Sequence, residues 1–169
     1  MSQEGLVFLG GRPEDLEIRP FTRDYQSEVR ALILEGLAER WGTLDESLNR
    51  DLDDIATSYA TGRVLLAIRR GQVVGTGIIV PVDPTTAEIV RMSVAPAARR
   101  DGVGRRIVDA LLQVARSWSV QRVICETTSH WTSAVDFYSQ CGFRVDHEEE
   151  GAFGRDTYFS YMLARSSSS

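Results

Sequence analysis

Cysteine is scarce. Cys125 and Cys141 are the only two in 169 residues, too few for a disulfide framework in a chain of this length. One lies in an apolar run (VIC) and the other near a helix end (SQCGF), and both read as small buried side chains. Long apolar runs are missing too. None approaches the ~20 residues of a membrane span, and no charged start leads into an apolar core, so no signal peptide is expected. Positive charge is not in excess: the net charge is -5, which argues against a nucleic-acid binder on the whole surface. The expectation is a cytoplasmic, reduced protein with no membrane or nucleic-acid partner and no metal.

With 43% hydrophobic and 25% charged residues, the composition is that of an ordinary globular domain. The length suits one domain with its own core, expected over 15–164. A loose arm is expected over 1–14 and a disordered Ser-rich tail over 165–169.

Periodicity orders the rest. LEIRPF (16–21) alternates and predicts a strand. Val29, Leu32, Ile33 and Leu37 predict a helix over 24–39, and Leu48, Leu52 and Ile55 a second, acidic helix over 45–60. RVLLAIRRGQVVGTGIIV reads as two strands about RRGQ, and DPTT separates them from a strand at AEIVRMSV (87–94). Val103, Ile107, Leu111, Val114 and Trp118 step by three and four along a helix ending near 117–119. QRVICETT (121–128) is a further strand, and TSAVDFYSQCGF is a short helix capped at Gly142. RVDHEEEGAFGRDTYFSYML gives two last strands. The order β-α-α-β-β-β-α-β-α-β-β combines an antiparallel meander with one parallel, right-handed crossover through 87–128, a mixed α/β sheet carrying helices.

RRDGVGRR, Arg99 to Arg106, sits inside that crossover, between strand and helix. A helix start presents unpaired N–H groups and partial positive charge, and glycines let an anion approach them. A pyrophosphate held by main chain, with arginines as outer counter-charges, fits. The Walker pattern fails because Arg105 and Arg106 follow Gly104, and the dinucleotide pattern fails because Ile107 holds its third glycine position.

Arg99-Arg100-Asp101-Gly102-Val103-Gly104 resembles motif A, Arg/Gln-x-x-Gly-x-Gly/Ala, of the GNAT (Gcn5-related N-acetyltransferase) superfamily. AEIVRMSVAPAARRDGVGRRIVDALL resembles its strand 4, loop and helix 3, and RVICETT its strand 5. AVDFYSQCGF is similar to its motif B at Ala134, Phe137, Tyr138, Gly142 and Phe143. The run ETTSHWTSAVDFY…GRDTYF further resembles the camello-type branch. The resemblance covers roughly 16–164 in element order and is specific over about 87–143. It implies a mostly antiparallel seven-stranded sheet with helices on both faces and a splayed parallel pair of strands 4 and 5.

The resemblance also implies an acetyl-CoA-dependent N-acetyltransferase acting directly, in a ternary complex, on a primary amine of a small molecule or peptide. Pantetheine would pair with Met92, Ser93 and Val94 like an added strand, and the N–H of Val94 or a neighbour would polarise the thioester carbonyl. The pyrophosphate would sit on the amides of Arg99, Arg100, Asp101, Gly102, Val103, Gly104 and Arg105, with Arg99, Arg100 and Arg105 as the candidate phosphate-reaching side chains. Tyr138 would be the general acid, since a phenol of pKa about 10 stays protonated at neutral pH and can protonate the leaving thiolate. Glu126 is the preferred base and Glu88 the other candidate. His130 reads as an exposed loop imidazole. Trp131 stands where many relatives carry a cofactor-contacting Asn, so that role is not carried over.

The acidic stretches LDESLNRDLDD and DHEEEGAFGRD either favour a cationic acceptor or are solvated faces, and Trp41 is either a pocket wall or a cap on the core. Cys125 has no His beside it in sequence to make it an acyl carrier. Many relatives pair as homodimers through the last strands, although TYFSYML equally suits a buried strand. The alternative function is a non-catalytic acyl-CoA-binding sensor or partner module.

Overall fold

Alternation along the strands sorts the core into two layers, one on each face of a single sheet. In the computed structural model, which describes residues 15–164, Val64, Leu66 and Ile68 join one buried cluster while Leu65 and Ala67 join another. A strand buried on both faces reads as a continuous apolar run, as VLLAI does. The expected arm and tail lie outside the described residues.

The elements are β1 (Leu16–Pro20), α1 (Gln26–Trp41), α2 (Ile55–Ser58), β2 (Arg63–Arg69), β3 (Gln72–Asp83), β4 (Thr86–Val94), α3 (Val103–Ser117), β5 (Arg122–Thr128), α4 (Thr132–Gln140), β6 (Arg144–Gly151) and β7 (Gly154–Met162). The sheet order is β1-β2-β3-β4-β5-β7-β6. Every pairing is antiparallel except β4 with β5. One face carries α3, whose Val103, Ile107, Leu111 and Ala115 pack with Ile79, Val123 and Phe159. The other carries α1, whose Val29 and Ile33 pack with Leu52, Ile55 and Ile78. β7 is an inner strand with Phe159 wholly buried, and β6, exposed along its length, is the outer one.

The expected acidic helix over 45–60 does not form. In its place are two 3-10 turns, Glu46–Leu48 and Arg50–Leu52, and the four-residue α2. The cause is local competition for backbone donors. Asp45 accepts from the N–H of Ser47 (3.0 Å) and Asp54 from that of Thr57 (3.2 Å), so two caps interrupt what periodicity alone reads as one helix. Gln26 holds the break open: its Oε1 accepts from the N–H of Ile55 (3.0 Å) and its Nε2 donates to the carbonyl of Leu52 (2.7 Å). Leu52 and Ile55 are buried as the pattern requires, while Leu48 is 62% exposed.

Two irregularities open the middle of the sheet. Ile78 pairs with Val90 and Thr76 with Ser93, so Gly77 faces both Arg91 and Met92, a β-bulge. Arg91 there has φ 55°, rare for a non-glycine residue. The parallel pairing of β4 with β5 is limited to Thr86, Ala87 and Glu88 against Arg122, Val123 and Ile124, after which the strands diverge. The bulge needs glycine opposite it: a Cβ on Gly77 would collide with the Met92 sulfur and stand 2.8 Å from Ile107 Cγ2. Gly77→Val is therefore expected to lower the unfolding free energy by about 1–3 kcal/mol, measurable by urea denaturation; unchanged stability would show that the bulge adapts.

Candidate functional site

The divergence of β4 and β5 leaves a cleft of about 1020 Å³ between the two halves of the sheet. Its floor is the free edge of β4. Ser93 is anchored beneath α1, its Oγ donating to the carbonyl of Leu32 (3.3 Å), and Met92 and Val94 pack on the core under α3. With no strand beside it after Glu88, this edge is a template for an extended, amide-bearing ligand.

At one end the edge runs into the glycine-arginine loop. Gly102 has φ 78° and precedes α3. The first amide to close onto the helix is that of Arg106, to the carbonyl of Gly102 (3.1 Å), so the N–H groups of Val103, Gly104 and Arg105 have no backbone acceptor among the described residues. The two glycines serve different needs. Gly102 makes a left-handed turn open to its side-chain position. Gly104 lets α4 come close, because a Cβ there would stand 3.1 Å from two ring carbons of Phe137.

The arginines of the loop are unequal. Arg99 holds both oxygens of Glu39 (2.7 and 2.8 Å) and donates through Nε to the carbonyl of Val94 (3.1 Å); this pairing keeps the Glu39 carboxyl below its usual range. Arg105 donates to the carbonyl of Gln140 (3.0 Å). Asp101 pairs with Arg69 (3.0 Å). Arg100, with φ 71°, is in no described ion pair or hydrogen bond.

Tyr138 lines the cleft from α4, its ring packed against Phe137, Phe143 and Phe159 with centroids 5.1–5.8 Å away. Burial pushes its phenol well above the ordinary value. Glu126 also lines the cleft, whereas Glu88, half-buried, does not. Glu126 faces Tyr158 across the β5–β7 pairing, and its carboxylate pushes the Tyr158 phenol up to about 12. Glu88 is raised by burial first and then by the charge of Glu126.

The opposite rim is aromatic. Trp41, at the end of α1, meets Trp131 at 4.8 Å, Phe153 at 5.7 Å and His130 at 6.3 Å between ring centroids. The Arg40 guanidinium lies 4.7 Å over the Trp131 ring. Trp41, 38% exposed and lining the cleft, is thus a wall rather than a core cap. Sequence reasoning missed Arg40 and Arg91, both of which line the cleft. It also missed Asp51, Asn49 and Tyr59, which surround Arg91. A Gly sandwiched in GTGIIV across from VRMSV was the available signal for the bulge.

The remaining candidates for chemistry are weak. Cys125 is buried and its thiol is pushed far up by that burial, while burial lifts Cys141 to about 11. Among the described residues no group of three His, Cys, Asp or Glu side chains could hold a metal, and no helix is long and apolar enough to cross a membrane.

Comparison with known proteins agrees with this geometry. Residues 24–143 match the family described as acetyltransferase (GNAT) family. The chain is 30% identical over 132 residues to an IAA acetyltransferase of Azospirillum brasilense, covering 77% of this chain and 86% of the relative. It is 34% identical over 104 residues to N-acetyltransferase family 8 member 2 of Rattus norvegicus, a camello-type protein, covering 57% of this chain but only 46% of that longer one. A GNAT acetyltransferase of Elizabethkingia anophelis, solved with acetyl-CoA bound, superposes with a TM-score of 0.69 at 19% identity, over 89% of this chain and 99% of that one, a likeness of fold.

With both thiols buried and raised, neither carries appreciable thiolate at neutral pH. A thiol reagent such as DTNB is expected to label neither in the native protein and both after denaturation; fast native labelling of Cys125 would reopen a covalent route.

Proposed function

The chain belongs to the GNAT acetyltransferase family, and from that premise we propose that it moves an acetyl group from acetyl-CoA to the primary amine of a small molecule or peptide, by direct attack in a ternary complex. One observation carries the reading. The free edge of β4, the unpaired amides opening α3 and the Tyr138 side chain all border one cleft, which is what a long cosubstrate with a phosphate end and a thioester end requires.

On this reading pantetheine runs along Met92, Ser93 and Val94 as a pseudo-strand. The pyrophosphate rests at the start of α3, on the amides from Gly102 to Arg105, since those of Arg99 and Asp101 already donate to the carbonyls of Pro96 and Ala98. Arg100 supplies a counter-charge without breaking another pair, whereas Arg99 and Arg105 would first have to leave Glu39 and Gln140. The acceptor enters between α1 and β5, towards Glu126 and Asp156, whose charge favours a cationic amine. Glu126 takes one proton from the ammonium, directly or through water. The freed nitrogen attacks the thioester carbon, and an N–H near Val94 holds the developing oxyanion. The carbon–sulfur bond breaks as the Tyr138 hydroxyl gives its proton to the sulfur; the nitrogen loses its second proton as the adduct collapses, that proton returns through solvent to the Tyr138 oxygen, and Glu126 releases the first to bulk water. Burial keeps the Tyr138 phenol protonated at neutral pH, the state in which it can act as a donor. The two unpaired buried thiols suit a reducing compartment such as the cytoplasm. A second copy of the chain would meet β6, because β7 is internal.

Calorimetric titration with acetyl-CoA, using ATP and NAD as controls, tests the cosubstrate: selective binding is expected, and its absence in folded protein would sink the reading. Gly104→Glu, which would push side chain into Phe137 and charge against the phosphates, is expected to abolish that binding. Tyr138→Phe is expected to lower kcat about 10²–10⁴-fold with the acetyl-CoA Kd unchanged; full activity would remove Tyr138 from the reaction. For Glu126→Gln the loss at neutral pH should shrink as pH nears ~10, where an amine deprotonates without help; a pH-independent loss would mean that Glu126 is not the base.

A further inference from the structure

Arg91 is in a left-handed conformation in the middle of a strand, where glycine would sit with less strain. Its side chain is fully committed. Nε and one terminal nitrogen bind the two oxygens of Asp51 (3.0 and 2.6 Å), and the other terminal nitrogen donates to Asn49 Oδ1 (2.9 Å). Asp51 is fixed in turn by the Tyr59 hydroxyl. The pair links positions 40 residues apart, is largely shielded from solvent, with side chains 20% and 27% exposed, and makes the rigid forked contact peculiar to arginine.

Its place in the fold gives it meaning. Arg91 is half of the bulge that turns β4 away from β5, one residue before the edge assigned to the pantetheine. Asp51 lies in the irregular segment between α1 and α2. That segment's other polar ties among the described residues run to α1 and the turn before it, through Arg23, Gln26 and Arg30. Its polar ties to β4 are those of Arg91.

We propose that Asp51 and Arg91 form a clamp which holds the β4 bulge in its ligand-accepting shape and couples the 45–60 segment to the cosubstrate edge, so that acetyl-CoA binding firms up that segment. Both are positioning residues, and the proposal rests on the acetyl-CoA site described above. Coupling of this kind is reciprocal: whatever acetyl-CoA does to the segment, ordering the segment does to acetyl-CoA affinity.

The test is hydrogen–deuterium exchange with and without saturating acetyl-CoA, together with calorimetric Kd values, on wild type, Asp51→Asn and Arg91→Gly. The glycine variant suits the positive φ, so it removes the clamp while relieving the backbone and remains informative should Asp51→Asn fold poorly. In wild type, amides over 45–60 are expected to gain protection with acetyl-CoA. In both variants the Kd is expected to rise about tenfold and the 45–60 protection to vanish even at saturation, while protection at the start of α3 persists. Wild-type Kd values with an unchanged 45–60 response in the variants would overturn the clamp, as would a wild-type 45–60 segment indifferent to bound acetyl-CoA. Failure of wild type to bind acetyl-CoA at all would overturn the cosubstrate site and the clamp together.

Discussion

The cleft of this molecule, and with it the proposed function, follows from an unfinished pairing. Two parallel strands share three residue pairs and then part, which leaves backbone donors and acceptors without strand partners in the centre of a sheet. Such an interior edge is costly to leave dry and dangerous to leave open. The fold confines it to a cleft flanked by α1, α4 and the loop before α3. The bulge at Arg91 and Met92 turns the edge, Gly77 makes room for the bulge, and the crossover through α3 brings an unpaired helix start to the end of the same edge. Removing any one of these leaves the others without purpose.

Electrostatics is handled almost wholly by guanidinium. All 19 basic residues are arginine, and those near the cleft are mostly placed in fixed geometry: Arg99 forked on Glu39, Arg91 on Asp51, Arg69 on Asp101, Arg40 over Trp131. This gives directional charge that does not titrate. It also means that the chain carries no lysine side-chain amine of its own to compete for an activated acetyl group.

Most of the fold was readable because its elements carry strong periods. α3 repeats every three to four residues, and the inner strands are short apolar runs between turn residues. The glycine-arginine loop was readable because its register with the flanking strand and helix is unbroken. The acidic segment after α1 was misread as a helix because Leu48, Leu52 and Ile55 keep helical spacing, while the Asp45 and Asp54 caps and the reach of Gln26 are tertiary and local details that a period does not contain. The unequal roles of the arginines were invisible for a related reason. Arg99, Arg100 and Arg105 look alike in sequence, and only the positions of Glu39 and the Gln140 carbonyl, brought in from α1 and α4, tell them apart. The Asp51–Arg91 contact spans 40 residues and has no local signature.

The open seam between β4 and β5 reaches beyond chemistry. A ligand that occupies it supplies the missing strand to the native state and to nothing else, so on the proposed function acetyl-CoA is also a folding ligand. At a hundred times its Kd it would add about 2.7 kcal/mol to stability, a sizeable share of the margin by which a domain of this size stays folded. The lifetime of the protein in a cell would then rise and fall with the acetyl-CoA supply, and scarcity of its own cosubstrate would mark it for degradation as well as idle it.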